Sequence, residues 1–447
     1  MMRENIGTGI LYVCAALIFC LCSWGIYRAI PDLTVHSNGD SIGYERIAQQ
    51  FVMTGKLTDP AVRGGIPIQP IGYPLFVGLL YKLCGPDLRI IIFIQVLLSL
   101  LCIWLIFVIA QRLFGLAIAR ITLFLSALNL GFLVYAQLML AETLMLTCLL
   151  LFFERITAFL SEQKMAQLVQ AGLVLGVSVL IKPMALLYIF FLLPFIWFCM
   201  HMAHVQKLKY IGMLLISFYA PLVSYMSYNY ALYRCFRYAP MTSLNIYQCF
   251  LSKVIAHIEH EPVEQVRTQT LAFTGAHGFD EHGWDANRAL FFYYLHKHPF
   301  VFVYVWGINV IKTIAGLYTT QLKLLLNNSL VGGKHSFFNF SGSFCERCVS
   351  YVMGGTANRT IAVLALAEAV FNLLRWLFVF FACFFLVRAS RWCILYLFGS
   401  YSLQCALVTG IDGCCRYRMT FEPILIILAA IGIYALVCTG YKKRVHR

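Results

Sequence analysis

The sequence is short of charge. Only 12% of its 447 residues are Asp, Glu, Lys or Arg, about half the share found in soluble domains. That scarcity excludes a soluble globular enzyme. Disorder is excluded as well, because 15% of the residues are aromatic and 61% are hydrophobic, leaving ample apolar surface to bury. Acidic residues are the scarcer sign, with 19 Asp and Glu against 34 Lys and Arg and a formal net charge of +15. Also missing are a Gly-rich phosphate loop, a zinc-binding helix motif and a nucleophile elbow. No internal repeat is visible, which counts against an alternating-access transporter. The 17 cysteines show no repeated ligand spacing, and most lie in apolar runs, where Cys behaves as a small hydrophobe.

What the chain has is long apolar runs. A spanning helix needs about 20 mostly apolar residues. Such segments run approximately over 9–30, 88–111, 117–136, 139–157, 168–183, 185–200, 210–228, 363–387, 392–410 and 421–441. The expected fold class is an all-α polytopic membrane protein of about ten transmembrane helices, with ten to twelve as the range. The first segment reads as a retained anchor rather than a signal peptide. Short cytoplasmic loops collect Lys and Arg, and the pairs Arg112/Arg120, Arg155/Lys164, Lys207/Lys209 and Arg388/Arg391, with the tail from Lys442 to Arg447, fix the orientation. Most of the positive excess is therefore an orientation signal, and no nucleic-acid partner is expected. Both late basic sites face the cytoplasm only if 229–362 makes an even number of crossings. The stretch 299–320, which carries Lys312, is therefore expected to lie in the interface or to form a re-entrant pair.

The whole chain, 1–447, is expected to be one membrane domain, with no soluble domain attached. Two long outer loops, 31–87 and 229–362, are where function is expected. In the first, Asn38-Gly39 marks a turn, and the apolar positions 44, 47, 48 and 51 follow helical spacing. A short amphipathic helix should start near Asp40, whose carboxylate the helix dipole keeps ionised. Tyr44 falls one turn later on the same face. A plain N-cap is the alternative role for Asp40. Next come Gln69-Pro-Ile-Gly-Tyr73-Pro74 and a short surface helix ending in Cys84-Gly85.

The ordered set resembles the GT-C glycosyltransferases, integral membrane enzymes that use polyprenyl-phosphate-linked sugars. Its elements are the Asp-x-x-x-Tyr helix after the first span, Pro-x-Gly-Tyr-Pro, the helix ending in Cys-Gly, and the long span ending Ala110-Gln-Arg-Leu-Phe-Gly115. Further matches are Ala141-Glu142-Thr143, Lys182-Pro183, Tyr228-Asn229-Tyr230, His298-Pro299 and Arg416-Tyr417-Arg418 before Pro423. The similarity is greatest to the aminoarabinose transferases and the dolichyl-phosphate-mannose protein mannosyltransferases. It implies transfer of a sugar, with inversion, to a glycan, lipid or protein acceptor on the periplasmic or lumenal face, in a bacterial inner membrane. A transporter or lipid-linked sugar flippase is the alternative.

Such chemistry needs a base for the acceptor and fixed positive charge for the departing phosphate. Asp40 is the candidate base, or else a ligand of a divalent cation such as Mg or Mn. Glu142 is the candidate second acid. Lys182, Arg416, Arg418 and Arg63 are candidates for donor-phosphate binding, and Tyr44, Tyr73 and Tyr417 for positioning substrate. Lys182, Arg416 and Arg418 stand on the outer side, where the positive-inside bias does not ask for cations. Glu368 and Arg375 read as a structural pair two helical turns apart. Two departures from the family pattern stand out: Gln69 occupies a position where the aminoarabinose group has a basic residue, and Ser41 follows Asp40 where the mannosyltransferases have a second acid. Cys345 and Cys348 are either a local disulfide or two plain thiols. The triplets starting at Asn327, Asn339 and Asn358 fit glycosylation only in a host that glycosylates. By its position the second outer loop, with Glu259, Glu261, Glu264, Asp280, Glu281 and Asp285, is the natural lid over an acceptor site.

Overall fold

A computed structural model describes residues 2–30, 39–62, 65–200, 202–238, 244–277, 281–327, 341–353 and 359–445. Among these the regular structure is helical throughout. The helices are α1 (Met2–Ala29), α2 (Asp40–Thr54), α3 (Gly72–Cys84), α4 (Leu88–Phe114), α5 (Leu116–Ala127), α6 (Leu130–Tyr135), α7 (Glu142–Glu162), α8 (Met165–Ile181), α9 (Tyr188–Cys199) and α10 (His204–Tyr233). A π-helical turn over Asn245–Phe250 leads into α11 (Leu251–Glu259), α12 (Val263–His277), α13 (Glu281–Lys297), α14 (Pro299–Ala315) and α15 (Thr319–Asn327). The chain closes with α16 (Phe344–Met353), α17 (Arg359–Arg388), α18 (Trp392–Thr409), α19 (Cys415–Arg418) and α20 (Glu422–Val445). The protein is an all-α integral membrane protein.

Each of the ten apolar segments falls on a helix. Six described helices are long and apolar enough to cross a membrane: Gly7–Ala29, α4, α7, α10, α17 and α18. The others are shorter apolar helices, namely α5, α8, the Pro183–Cys199 segment and Glu422–Val437. The stretch 117–136 differs most from expectation. Its helix α5 has 12 residues, a rise of only about 18 Å. Asn129 ends the break after it by capping α6, its Oδ1 accepting from the Phe132 amide at 3.2 Å.

Between α6 and α7 the backbone is irregular and wholly buried over 136–141. Irregular backbone at this depth must be satisfied by the protein itself. Gln95 of α4 does this, its Nε2 donating to the carbonyls of Leu138 (2.7 Å) and Ala136 (3.2 Å). Gln137 donates to Ser23 Oγ at 2.6 Å. This fold-back is what brings Glu142, first residue of α7, into the interior.

The bundle has one large apolar core, built mainly from α4, α5, α7, α8, α9, α18 and α20. The second outer loop has a separate core of Phe250, Leu251, Val254, Ile255, Val266, Phe302 and Val305. Helices α13 and α14 meet at 102°, so 299–320 forms one arm of a corner and not a straight crossing. Helix α14 is tied to the bundle by polar bonds. Trp306 Nε1 donates to the Leu407 carbonyl (3.1 Å), and Asn309 Nδ2 donates to that of Gly410 (2.9 Å).

Helices α8 and α10 touch through Gly172 and Gly176. A Cβ at Gly176 would collide with the Phe218 carbonyl oxygen, and one at Gly172 with Ser217 Oγ. Small residues four apart allow this close approach between membrane helices. Gly176→Val is expected to destabilise the bundle by roughly 1–3 kcal/mol through overpacking. Thermal unfolding in detergent checks it; an unchanged midpoint would mean that the helices are free to separate.

Candidate active site

Helix α2 begins at Asp40, directly after Gly39, which sits at φ 59°. Two contacts hold this end in place. Gln69 Nε2 donates to the Asp40 carbonyl at 3.0 Å, and Gln69 can lie there because position 43 is glycine: a Cβ would overlap its amide. The departure from the family pattern at Gln69 thus has a local use, as a support for the helix that carries Asp40. Lower down, Arg46 and Asp59 form a two-pronged ion pair at 2.7 and 2.9 Å, which pins the following loop to α2.

Four of the expected site residues meet. Arg416 Nη1 donates to Asp40 Oδ2 at 2.7 Å, and its Nε donates to Glu142 Oε1. Lys182 Nζ donates to the same Glu142 oxygen at 2.5 Å. Each comes from a different place. Asp40 opens α2 and Glu142 opens α7. Lys182 lies in the turn after α8, where the following proline disfavours helical backbone, and Arg416 is on the single turn α19. The side chain of Asp40 is 40% exposed, that of Arg416 21% and that of Glu142 1%. Two carboxylates and two cations leave the group formally neutral, with Asp40 as its open end. Glu142 Oε2 and Arg416 Nη2 are buried and have no partner among the described residues. Unsatisfied buried polar atoms are rare, and these two fit the requirements of a polar ligand.

The tyrosines surround this group. Tyr44 is buried on the face of α2 below Asp40, and burial, with Asp40 nearby, raises its hydroxyl pKa well above the usual range. Tyr73 stands edge-on to Tyr44, with ring centroids 5.0 Å apart. It is fully buried and donates to Gln95 Oε1 at 2.9 Å, so it backs Tyr44. The Tyr417 ring lies under Lys182 Nζ at 4.8 Å.

Other expectations need correction. Arg418 is fully buried and points away from Arg416. Its Nε donates to Glu422 Oε2 at 3.0 Å, and its Nη1 donates to the carbonyls of Ile314 and Gly316. Residues two apart on a helix project about 200° apart, so one turn cannot aim both arginines at one ligand. Arg418 therefore does not join the group at Arg416, where the donor-phosphate expectation had put it. Arg375 pairs with Glu422 and not with Glu368; Glu368 instead accepts from the amides of Tyr318 and Thr319 at 2.7 and 2.9 Å. Arg63, Asn339, Asn358 and Asp280 lie outside the described residues. Cys345 and Cys348 are free thiols.

Sequence reasoning missed Asp412 and Lys253. They form an ion pair between the loop before α19 and helix α11, a second link between the outer core and the bundle. Asp412 sits in Gly410-Ile-Asp-Gly413, a turn signal four residues before Arg416. For Lys253, on a mixed-charge helix, no sequence signal exists.

The group fits a resident divalent cation poorly. Hard cations take several oxygen ligands, yet Arg416 already donates to Asp40 Oδ2 and to Glu142 Oε1. Among the described residues no three His, Cys, Asp or Glu side chains cluster as a metal site.

Comparisons agree with this architecture. The family model for dolichyl-phosphate-mannose-protein mannosyltransferase matches residues 68–225. The apo oligosaccharyltransferase of Archaeoglobus fulgidus superimposes with a TM-score of 0.53 at 14% identity, over 97% of this chain and 51% of that one. The same enzyme tethered to an acceptor peptide containing the NVT sequon gives 0.53 at 13%, over 98% and 51%. ArnT from Cupriavidus metallidurans bound to undecaprenyl phosphate gives 0.42 at 14%, over 96% and 78%. The chain thus spans about half the length of the oligosaccharyltransferase structures. A comparison with curated proteins finds no match. The fold is similar to that of the archaeal oligosaccharyltransferase, a GT-C glycosyltransferase.

Glu142→Gln tests the internal support of the group. It removes the anion shared by two cations and leaves them buried together, which is expected to cost about 3–5 kcal/mol. A melting temperature in detergent equal to that of the unaltered protein would contradict the shared ion pair.

Proposed function

We propose that the chain is a glycosyltransferase that moves a sugar from a polyprenyl-phosphate carrier to an acceptor on the outer face of a membrane. The carrying observation is the partly exposed Asp40, joined by Arg416 to the buried Glu142–Lys182 pair. One accessible carboxylate beside two fixed cations is the equipment this reaction needs. The matched family model supports the donor class, since its described members take a dolichyl-phosphate sugar. The GT-C fold supports the reaction type. The acceptor belongs to the class of glycans, lipids or proteins that bear a free hydroxyl or amine.

In this reading the acceptor hydroxyl gives its proton to Asp40 as its oxygen attacks the anomeric carbon. The bond from that carbon to the phosphate oxygen breaks on the opposite face, and its electron pair leaves with the phosphate. Attack from opposite the leaving group inverts the anomeric centre. Lys182 and Arg416 stabilise the charge that collects on the phosphate. Glu142 is too enclosed to meet an acceptor and holds both cations in place. The cytoplasmic bias of Lys and Arg supports an outer-face position for this group, which in our reading is the periplasmic side of a bacterial plasma membrane.

Asp40→Asn is expected to lower sugar transfer from a polyprenyl-phosphate donor by about 10²–10⁴-fold, while donor binding persists. Full transfer by the purified variant would overturn the assignment. A second test concerns Lys182. Lys182→Met is expected to weaken donor binding by about tenfold or more, and unchanged affinity of the folded variant would overturn its assignment.

A further inference from the structure

Helix α19 lies between two clusters of charge, and only one belongs to the site above. The helix has four residues, Cys415–Arg418. A single turn has no cooperativity with which to hold its own orientation, so its direction must come from what its side chains grip. On one side Arg416 reaches Asp40 and Glu142. On the other, Arg418 enters a buried cluster with Glu422, Arg375 and Glu368.

That inner cluster gathers several parts of the fold. Glu422, at the start of α20, accepts from Arg418, from Arg375 of α17, from Asn129 Nδ2 (2.8 Å) and from the Tyr318 hydroxyl (3.1 Å). Glu368 of α17 caps the start of α15 and lies 3.8 Å from Arg418 Nη2. Arg418 Nη1 binds the last carbonyls of the α14 segment, Ile314 at 2.9 Å and Gly316 at 2.6 Å. Its guanidinium also stands 4.4 Å from the centre of the Tyr318 ring. Arg375, Arg418 and Glu422 are all fully buried, so none of them can touch a substrate.

We propose that Arg418 is a positioning residue: the cluster around it sets the rotation of α19, and with it the aim of Arg416 at the donor phosphate. Because Arg418 also holds the end of α14, a shift of the outer helices is passed to Arg416 across two residues of backbone. This rests on the reading of Arg416 as a donor-phosphate cation.

A double-mutant cycle tests it, with undecaprenyl phosphate in detergent as the probe and its dissociation constant as the readout. Arg416→Ala alone should weaken binding by about tenfold or more. Arg418→Gln alone should weaken it by several-fold, yet have no further effect once residue 416 is Ala. A residue that merely stabilised the fold would give losses that multiply, and multiplying losses overturn the proposal. So does unchanged binding by folded Arg418→Gln. Unchanged binding by Arg416→Ala overturns the donor-phosphate reading together with the proposal, and so differs from a failure of the coupling alone. Should Arg418→Gln fail to fold, Glu368→Gln enters the same cycle, because it leaves the Arg418–Glu422 pair in place.

Discussion

One guanidinium between two carboxylates organises the outer end of this molecule. Arg416 pairs with Asp40 and with Glu142, and the three come from parts of the chain about 100 and about 270 residues apart, a separation that only the whole fold can close. Charge placed in or beside an apolar bundle is costly unless it is paired and hydrogen-bonded. The pairing is therefore required wherever these residues stand, and the fold must bring α2, α7, the α8–α9 turn and α19 to one point. Much else follows from that demand. The glycine at position 43 makes room for Gln69, Gln69 holds α2, and the fold-back over 136–141 delivers Glu142.

The same cost explains why some polar residues of the interior carry several hydrogen bonds each. Gln95 satisfies two carbonyls of the irregular stretch and also accepts from Tyr73. Tyr73 then backs Tyr44, which lines the group at Asp40. A chain of three side chains thus links the buried backbone break over 136–141 to the position of a tyrosine beside Asp40. Glu422 does comparable work beneath α19, accepting from four side chains at once.

How much of this was legible depended on how unusual each residue was in its setting. Asp40, Glu142, Lys182 and Arg416 could be picked from the sequence because an ionised side chain at the outer end of an apolar segment has few reasons to be there. Their meeting could not be read, only their eligibility. Arg418 looked equivalent to Arg416 because spacing alone does not reveal that they share one helical turn and so face opposite ways. The Arg375–Glu368 pairing failed for a related reason: local spacing on α17 favoured it, but Glu422 on α20 offered Arg375 a better partner across the bundle. The segment 117–136 read as one span because composition does not register Asn129, whose side chain caps a new helix. Lys253 left no trace, since a lysine on a mixed-charge surface helix is ordinary.

The second outer loop has its own hydrophobic core, and polar bonds from Trp306, Asn309 and Lys253 are prominent among its ties to the bundle. Two cores joined in this way are two cooperative units. The outer unit can open locally while the bundle stays intact, so heating should melt the molecule in stages, and a single unfolding free energy does not describe it.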